Sequence, residues 1–209
     1  MSAGVVNPSM SETTVGPAPA SSTAASSAPV ISAALLNTDF FTLLGIPRRF
    51  ALQRDTLDNR FRELQREVHP DRFAAADDAA RRASMMLATQ INEAYQTLRN
   101  PLKRAGYLLS LSGVDVGAES NTAMDPTFLM AQMEWREQVA DARAAGDVAA
   151  LKQLASEITD AMRASHEALA VSLDEAPDTT LAAETVRRLM FLEKLHDEID
   201  NAIFDLEDV

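Results

Sequence analysis

Cysteine is absent from the 209-residue sequence, and aromatic residues make up only 5% of it. The absence of cysteine excludes disulfides, thiolate zinc sites, cysteine-ligated clusters and cysteine nucleophiles. The three histidines, His69, His166 and His196, fall in or directly after different predicted helices, so we do not expect them to form a metal site together. No run of 18 apolar residues occurs, and no transmembrane helix is predicted. We therefore expect a chain without a metal, a cofactor or a membrane anchor.

Positive charge is also scarce, and the formal net charge of −12 at pH 7 argues against a nucleic-acid binder. Residues 1–38 contain a single ionisable side chain, Glu12. Residues 39–112 carry a net charge of +3, whereas residues 113–209 carry −14. A slightly basic segment followed by a strongly acidic one indicates two modules with different partners.

The first part of the chain has the composition of a disordered tail. Of residues 1–34, 25 are Ser, Ala, Pro, Thr or Gly, and such a stretch cannot bury enough apolar surface to offset its ordering entropy. We therefore expect a disordered tail over residues 1–38. The first basic residue is Arg48, whereas a signal peptide or a mitochondrial presequence needs earlier basic residues. This favours the cytoplasm.

Helical periodicity begins at Thr38. Four helices are predicted, at about 39–44, 53–68, 79–99 and 101–111, with a polar loop at 71–78. Apolar residues of the two longer helices recur at spacings of three and four, as Leu57, Phe61, Leu64 and Val68, and then Met85, Ala88, Ile91, Tyr95 and Leu98. Each set predicts one buried face.

After a linker at residues 113–125, three longer helices are predicted, at 126–145, 147–173 and 178–206. The turns between them are short, which favours an antiparallel three-helix bundle over residues 126–209. No segment alternates with period 2 long enough to form a strand. The sequence therefore predicts an all-α fold.

The tripeptide His69-Pro70-Asp71 lies where the second helix must end. Taken alone, it predicts only a turn, because proline stops a helix and aspartate caps the next turn of the chain. The residues around the tripeptide indicate a more specific role. Arg62 and Arg66 fall on the helix face opposite the apolar stripe, and Arg72 follows the tripeptide, so a basic outer face is predicted beside the turn.

An apolar inner face, a basic outer face and an H-P-D turn before an antiparallel helix resemble a J-domain. Further motifs occur in order along the chain: Asp39-Phe40-Phe41-Thr42-Leu43-Leu44-Gly45, Ile91-Asn92-Glu93-Ala94-Tyr95-Gln96-Thr97-Leu98, Asn100-Pro101-Leu102-Lys103-Arg104-Ala105, Phe128-Leu129-Met130 and Val186-Arg187-Arg188-Leu189-Met190-Phe191-Leu192. Together they resemble the HscB family, the J-protein co-chaperones of bacterial iron–sulfur cluster assembly. The resemblance extends from about Asp39 to the C-terminus.

The resemblance implies a non-enzymatic monomer with two protein partners. A J-domain at residues 39–112 would dock on a DnaK-type ATPase chaperone similar to HscA and stimulate its ATP hydrolysis. The residues implied in this contact are Arg62, Arg66, His69, Pro70, Asp71 and Arg72. The bundle would hold the client, an iron–sulfur scaffold protein similar to IscU.

The client site is expected on the outer face of the bundle. Met130, Met133, Glu134 and Glu137 fall opposite the core stripe that begins at Phe128 on the first bundle helix, and Phe191 falls opposite the predicted core residues of the last helix. Apolar groups mixed with acids are typical of a binding surface, and methionine adapts to a partner's contours. The family resemblance implies client contacts from Leu129, Met130, Met133, Glu134, Glu137, Asp141 and Phe191.

The sequence gives less support to other functions. An acid–base site using His69 and Asp71 lacks a positioned nucleophile, a glycine-rich phosphate loop and an H-E-x-x-H motif. Glu134 and Glu137 could form a carboxylate pair, but a solvated acidic face explains them better. A J-protein for other clients and a helical interaction protein without chaperone function remain as alternatives.

Overall fold

The computed structural model describes residues 37–117 and 125–207, and its elements there are helical. The all-α prediction is confirmed. The α-helices are α1 (Phe40–Leu44), α2 (Arg54–Glu67), α3 (Asp78–Arg99), α4 (Pro101–Leu111), α5 (Pro126–Ala145), α6 (Val148–Ala170) and α7 (Thr179–Glu207). All but the last two residues of the predicted tail, and most of the predicted linker, lie outside the described residues.

Helix α1 is short because both of its ends are capped by its own sequence. The Asp39 carboxylate accepts the backbone N–H groups of Phe41 and Thr42, at 2.9 and 3.1 Å, and Gly45 ends the helix at φ +64°. Burial raises the pKa of Asp39, but the hydrogen bonds from Thr42 and Phe41 outweigh it, so this pKa lies below its ordinary value. Helix α1 packs against α3, and the Phe40 N–H donates to the Tyr107 hydroxyl of α4 at 2.9 Å.

Helices α2 and α3 pack as an antiparallel hairpin. The Phe61 and Tyr95 rings stack with their centroids 4.0 Å apart, and the Tyr95 hydroxyl donates to the Asp58 carboxylate at 3.0 Å. Burial and the contact with Asp58 both raise the pKa of this tyrosine. The Gln65 amide donates to the Asn92 side chain at 2.9 Å. These contacts fix the register of the hairpin.

One residue predicted on the inner face of α3 lies outside. Met85 is 62% exposed. The inner position belongs to Ser84, which is fully buried and donates its hydroxyl to the Val68 carbonyl at 2.7 Å. Successive helical residues point about 100° apart, so Ser84 turns Met85 toward solvent. The prediction that Met85 joins the core is wrong.

The bundle is formed by α5, α6 and α7. Gly146, at φ +66°, ends α5, and the Asp147 side chain caps α6 by accepting the Ala150 N–H at 2.9 Å. The α-helical part of α6 ends at Ala170, earlier than predicted. One wider helical turn follows it over Val171–Glu175. The bundle core comprises Val139, Ala142, Leu151, Leu154, Ile158, Leu192, Leu195, Ile199 and Ala202.

The core around α1–α4 extends onto the bundle. Leu169 of α6 and Val186 of α7 are buried in the same apolar cluster as the first four helices. A polar contact joins the same two regions, because the Asp174 carboxylate accepts the N–H groups of Phe50 and Ala51, at 2.6 and 2.8 Å. The two halves of the chain therefore hold each other through apolar and hydrogen-bonded contacts.

Arg104 lies buried beside this junction. Its guanidinium lies 4.9 Å from the centroid of the Phe50 ring and donates to the Leu98 carbonyl at 2.6 Å. Burial lowers the pKa of Arg104, and the nearby Asp174 charge opposes that shift. In the described part of the chain, no helix is both long and apolar enough to cross a bilayer.

Candidate functional site

The H-P-D tripeptide forms a preset exposed turn at the end of α2. Pro70–Phe73 make one turn of 3₁₀ helix, and the buried Phe73 ring anchors it. The predicted loop is therefore ordered at its start. The His69 ring nitrogen Nδ1 accepts the Asp71 N–H at 3.3 Å, which places the proton of a neutral ring on Nε2. The Asp71 side chain is 91% exposed, so its carboxylate is open to a partner.

The basic groups predicted beside the turn lie at the surface. Arg62, Arg66 and Arg72 are all exposed. The Arg62 guanidinium donates to the Asp58 carbonyl and to the Asn59 side chain, both at 3.1 Å. These bonds hold Arg62 along the outer face of α2. The structure thus places the six residues predicted for chaperone binding, 62, 66 and 69–72, at one end of the hairpin and on its outside.

The second candidate surface is the outer face of α5. Met130 and Met133 are 64% and 72% exposed, and Leu129 is exposed beside them. Glu134, Glu137 and Asp141 are exposed on the same helix. Helix α5 instead buries Phe128, Val139 and Ala142, which are its contacts to the bundle. The structure therefore places an apolar strip with acidic neighbours on α5.

Phe191 differs from its expected position opposite the core. It is half-buried, and its ring packs edge-on against Phe128 with the centroids 5.8 Å apart. The Arg136 guanidinium lies 5.5 Å from the Phe191 centroid. A helical wheel of α7 alone cannot show this burial, because it comes from the start of α5, which lies against this side of α7. Only part of the ring remains open beside the α5 face.

The sequence does not predict where the structure places two further residues. Asp174 lies in the turn after α6, and nothing in its sequence context indicates that it binds the backbone of residues 50 and 51. Met85 was assigned to the core because its spacing to Ala88 suits a helix face. Among the described residues, no group of three His, Asp or Glu side chains could hold a metal ion.

Two family models match this chain. Residues 39–107 match the family model of the DnaJ domain, and residues 124–200 match that of the HSCB C-terminal oligomerisation domain. The co-chaperone protein HscB homolog of Azoarcus sp. (strain BH72) is 54% identical over 172 residues, which cover 82% of this chain and 97% of that protein. The homolog of Burkholderia multivorans is also 54% identical, over 82% of this chain and 98% of that protein.

Two solved structures have the same fold. The chaperone HscB from Vibrio cholerae has a TM-score of 0.70 and 38% identity, covering 81% of this chain and 99% of that chain. The human co-chaperone protein HscB has a TM-score of 0.72 and 29% identity, covering 78% and 81%.

An exposed H-P-D turn on a helical hairpin, joined to a helical bundle, defines a J-domain co-chaperone. The 54% identity to HscB homologs and the match of residues 124–200 to the HSCB C-terminal domain identify one family within this class. The chain belongs to the HscB co-chaperone family, and its role is that of a co-chaperone in iron–sulfur cluster assembly.

Proposed function

We propose that the chain uses its J-domain to bind an HscA-like chaperone of the DnaK type and to stimulate ATP hydrolysis there. The observation that carries this proposal is the exposed Asp71 carboxylate on a turn preset by Pro70 and by the His69 ring. A preset turn lowers the ordering cost of binding. Asp71 can then accept a charge-assisted hydrogen bond from a basic group of the partner, worth about 1.5–3 kcal/mol.

The arginines serve a different purpose in this contact. Exposed charges such as those of Arg62, Arg66 and Arg72 contribute to encounter rate and orientation more than to affinity. Their partner would be an acidic groove on the ATPase. A J-domain spanning residues 39–112 contains this whole surface.

The bundle of residues 126–209, joined to the J-domain by residues 113–125, holds the client in this proposal. The client is an IscU-like iron–sulfur scaffold protein, and the complex forms in the cytoplasm. Support comes from the exposed methionines of α5, because large exposed apolar side chains grouped on one helix are typical of an interface. The proposed contacts are Leu129, Met130, Met133, Glu134, Glu137, Asp141 and the open part of Phe191.

The client contact is tested by the double variant Met130→Ala with Met133→Ala. Removing two exposed anchors is expected to weaken scaffold binding by at least about 2 kcal/mol, or roughly 30-fold in Kd. The melting temperature should remain near that of the wild type, because neither side chain lies in the core. Calorimetric titration with the purified scaffold protein measures the first quantity, and thermal circular dichroism measures the second.

A matched control uses Phe204, which is as exposed as Met130 but lies near the far end of α7. Phe204→Ala should leave scaffold affinity unchanged. The proposal for α5 is contradicted if the methionine variant binds the scaffold as tightly as the wild type. It is also contradicted if Phe204→Ala weakens binding equally.

A further inference from the structure

The exposed Met85 lies at the edge of α3 that faces α2. Residues seven apart on an α-helix lie almost one above the other, so Met85 shares an edge with Asn92. Asn92 in turn accepts a hydrogen bond from Gln65 of α2 at 2.9 Å. The Met85 side chain therefore points to the outer surface that α2 and α3 form together.

The start of this edge of α3 lies next to the H-P-D turn. Ser84, next to Met85, is bonded to the carbonyl of Val68, the residue before His69. On α2, Arg62 and Arg66 lie just outside Gln65 on the helical wheel. These contacts place Met85 on the side of α3 that is next to the turn and to the basic face of α2.

Met86 provides an internal comparison. It is 59% exposed, close to the 62% of Met85, but it lies a further 100° around α3 and away from α2. A single exposed apolar residue is ordinary on a protein surface. What distinguishes Met85 from its neighbour is its place beside the proposed chaperone-binding residues.

We propose that Met85 is an apolar anchor for the DnaK-type chaperone, on the α3 side of the surface formed by Arg62, Arg66 and Asp71. This inference rests on the proposed function. Its partner would be an apolar patch next to the acidic groups that attract the arginines. Methionine suits such a contact because its flexible side chain fits irregular apolar surfaces, and central apolar contacts contribute most to affinity.

The test measures chaperone ATP turnover against the concentration of the full-length co-chaperone. Met85→Ala is expected to raise the concentration for half-maximal stimulation about fivefold, because apolar burial at the interface is lost. The maximal stimulation should be unchanged, since Asp71 is intact. Met85→Leu should restore most of the affinity, and Met86→Ala should behave like the wild type.

The same assay with Asp71→Asn separates this inference from the proposal on which it rests. If Asp71→Asn loses stimulation but Met85→Ala and Met86→Ala give the same half-maximal concentration, Met85 is not an anchor and the docking turn stands. If Asp71→Asn stimulates normally, the docking proposal fails and the role of Met85 fails with it. Circular dichroism of each variant should show the wild-type helix content.

Discussion

Single residues of this chain divide into those that we propose face a partner and those that hold the two regions together. His69 and Asp71 belong to the first group, because both side chains are exposed and bonded only to their own turn. Asp174 belongs to the second, because its side chain is only 7% exposed and accepts two backbone N–H groups from the segment between α1 and α2. A substitution at Asp174 should therefore change stability.

Asp174→Ala is expected to lower the free energy of unfolding by about 2 kcal/mol. The Phe50 and Ala51 N–H groups would lose a charged acceptor, and bonds of this kind contribute about 1.5–3 kcal/mol. Denaturant titration followed by circular dichroism measures the change.

Glu175→Ala is the control, since Glu175 is the next residue and is exposed. It should leave the unfolding midpoint unchanged. Equal stability of Asp174→Ala and wild type would show that the hydrogen bonds from Asp174 do not stabilise the junction.

Individual helices were largely predictable from the sequence. Helices α4 and α5 have the predicted bounds, because proline opens each helix and local signals mark its end. The end of α6 was predicted three residues late, since the wider turn over Val171–Glu175 keeps helical periodicity without being α-helical. Periodicity alone cannot distinguish the two.

Contacts between helices were less predictable. The exposure of Met130 and Met133 follows from the wheel of α5 by itself. The burial of one side of Phe191 depends on how α5 lies across α7, and this contact leaves no signal in the pattern of either helix alone. The exposure of Met85, by contrast, follows from α3 itself, because the buried Leu87, Ile91 and Leu98 lie on the opposite side of that helix.

Substitutions of two glycines test how these residues are placed in their helices. Gly106 lies inside α4, and a Cβ there would meet no atom within 4 Å. Gly106→Ala should therefore raise the free energy of unfolding by about 0.5–1 kcal/mol, because alanine has the higher helix propensity. Thermal unfolding measures this.

Gly45→Ala gives the opposite expectation. Its φ of +64° disfavours a side chain, and a Cβ would lie 2.8 Å from a guanidinium nitrogen of Arg60. This variant should be less stable than the wild type. Destabilisation by Gly106→Ala would contradict the placement of Gly106 in an uncrowded helix.

At the level of the whole molecule, the two proposed binding surfaces lie in segments of opposite net charge. The segment of residues 39–112 has a net charge of +3, and residues 113–209 have −14. The H-P-D turn lies in the first segment, and the exposed face of α5 lies in the second. In the proposed function the chaperone and the client bind at these separate surfaces, so they would not compete for one site, and the opposite net charges would favour different partners.

The central claim is that the turn at Asp71 stimulates a DnaK-type ATPase. Its most direct test is steady-state ATP turnover by the purified chaperone with full-length wild type or Asp71→Asn. We expect the wild type to accelerate turnover and Asp71→Asn to give the rate of the chaperone alone, with unchanged helix content and unchanged scaffold affinity. Normal stimulation by Asp71→Asn would contradict the account.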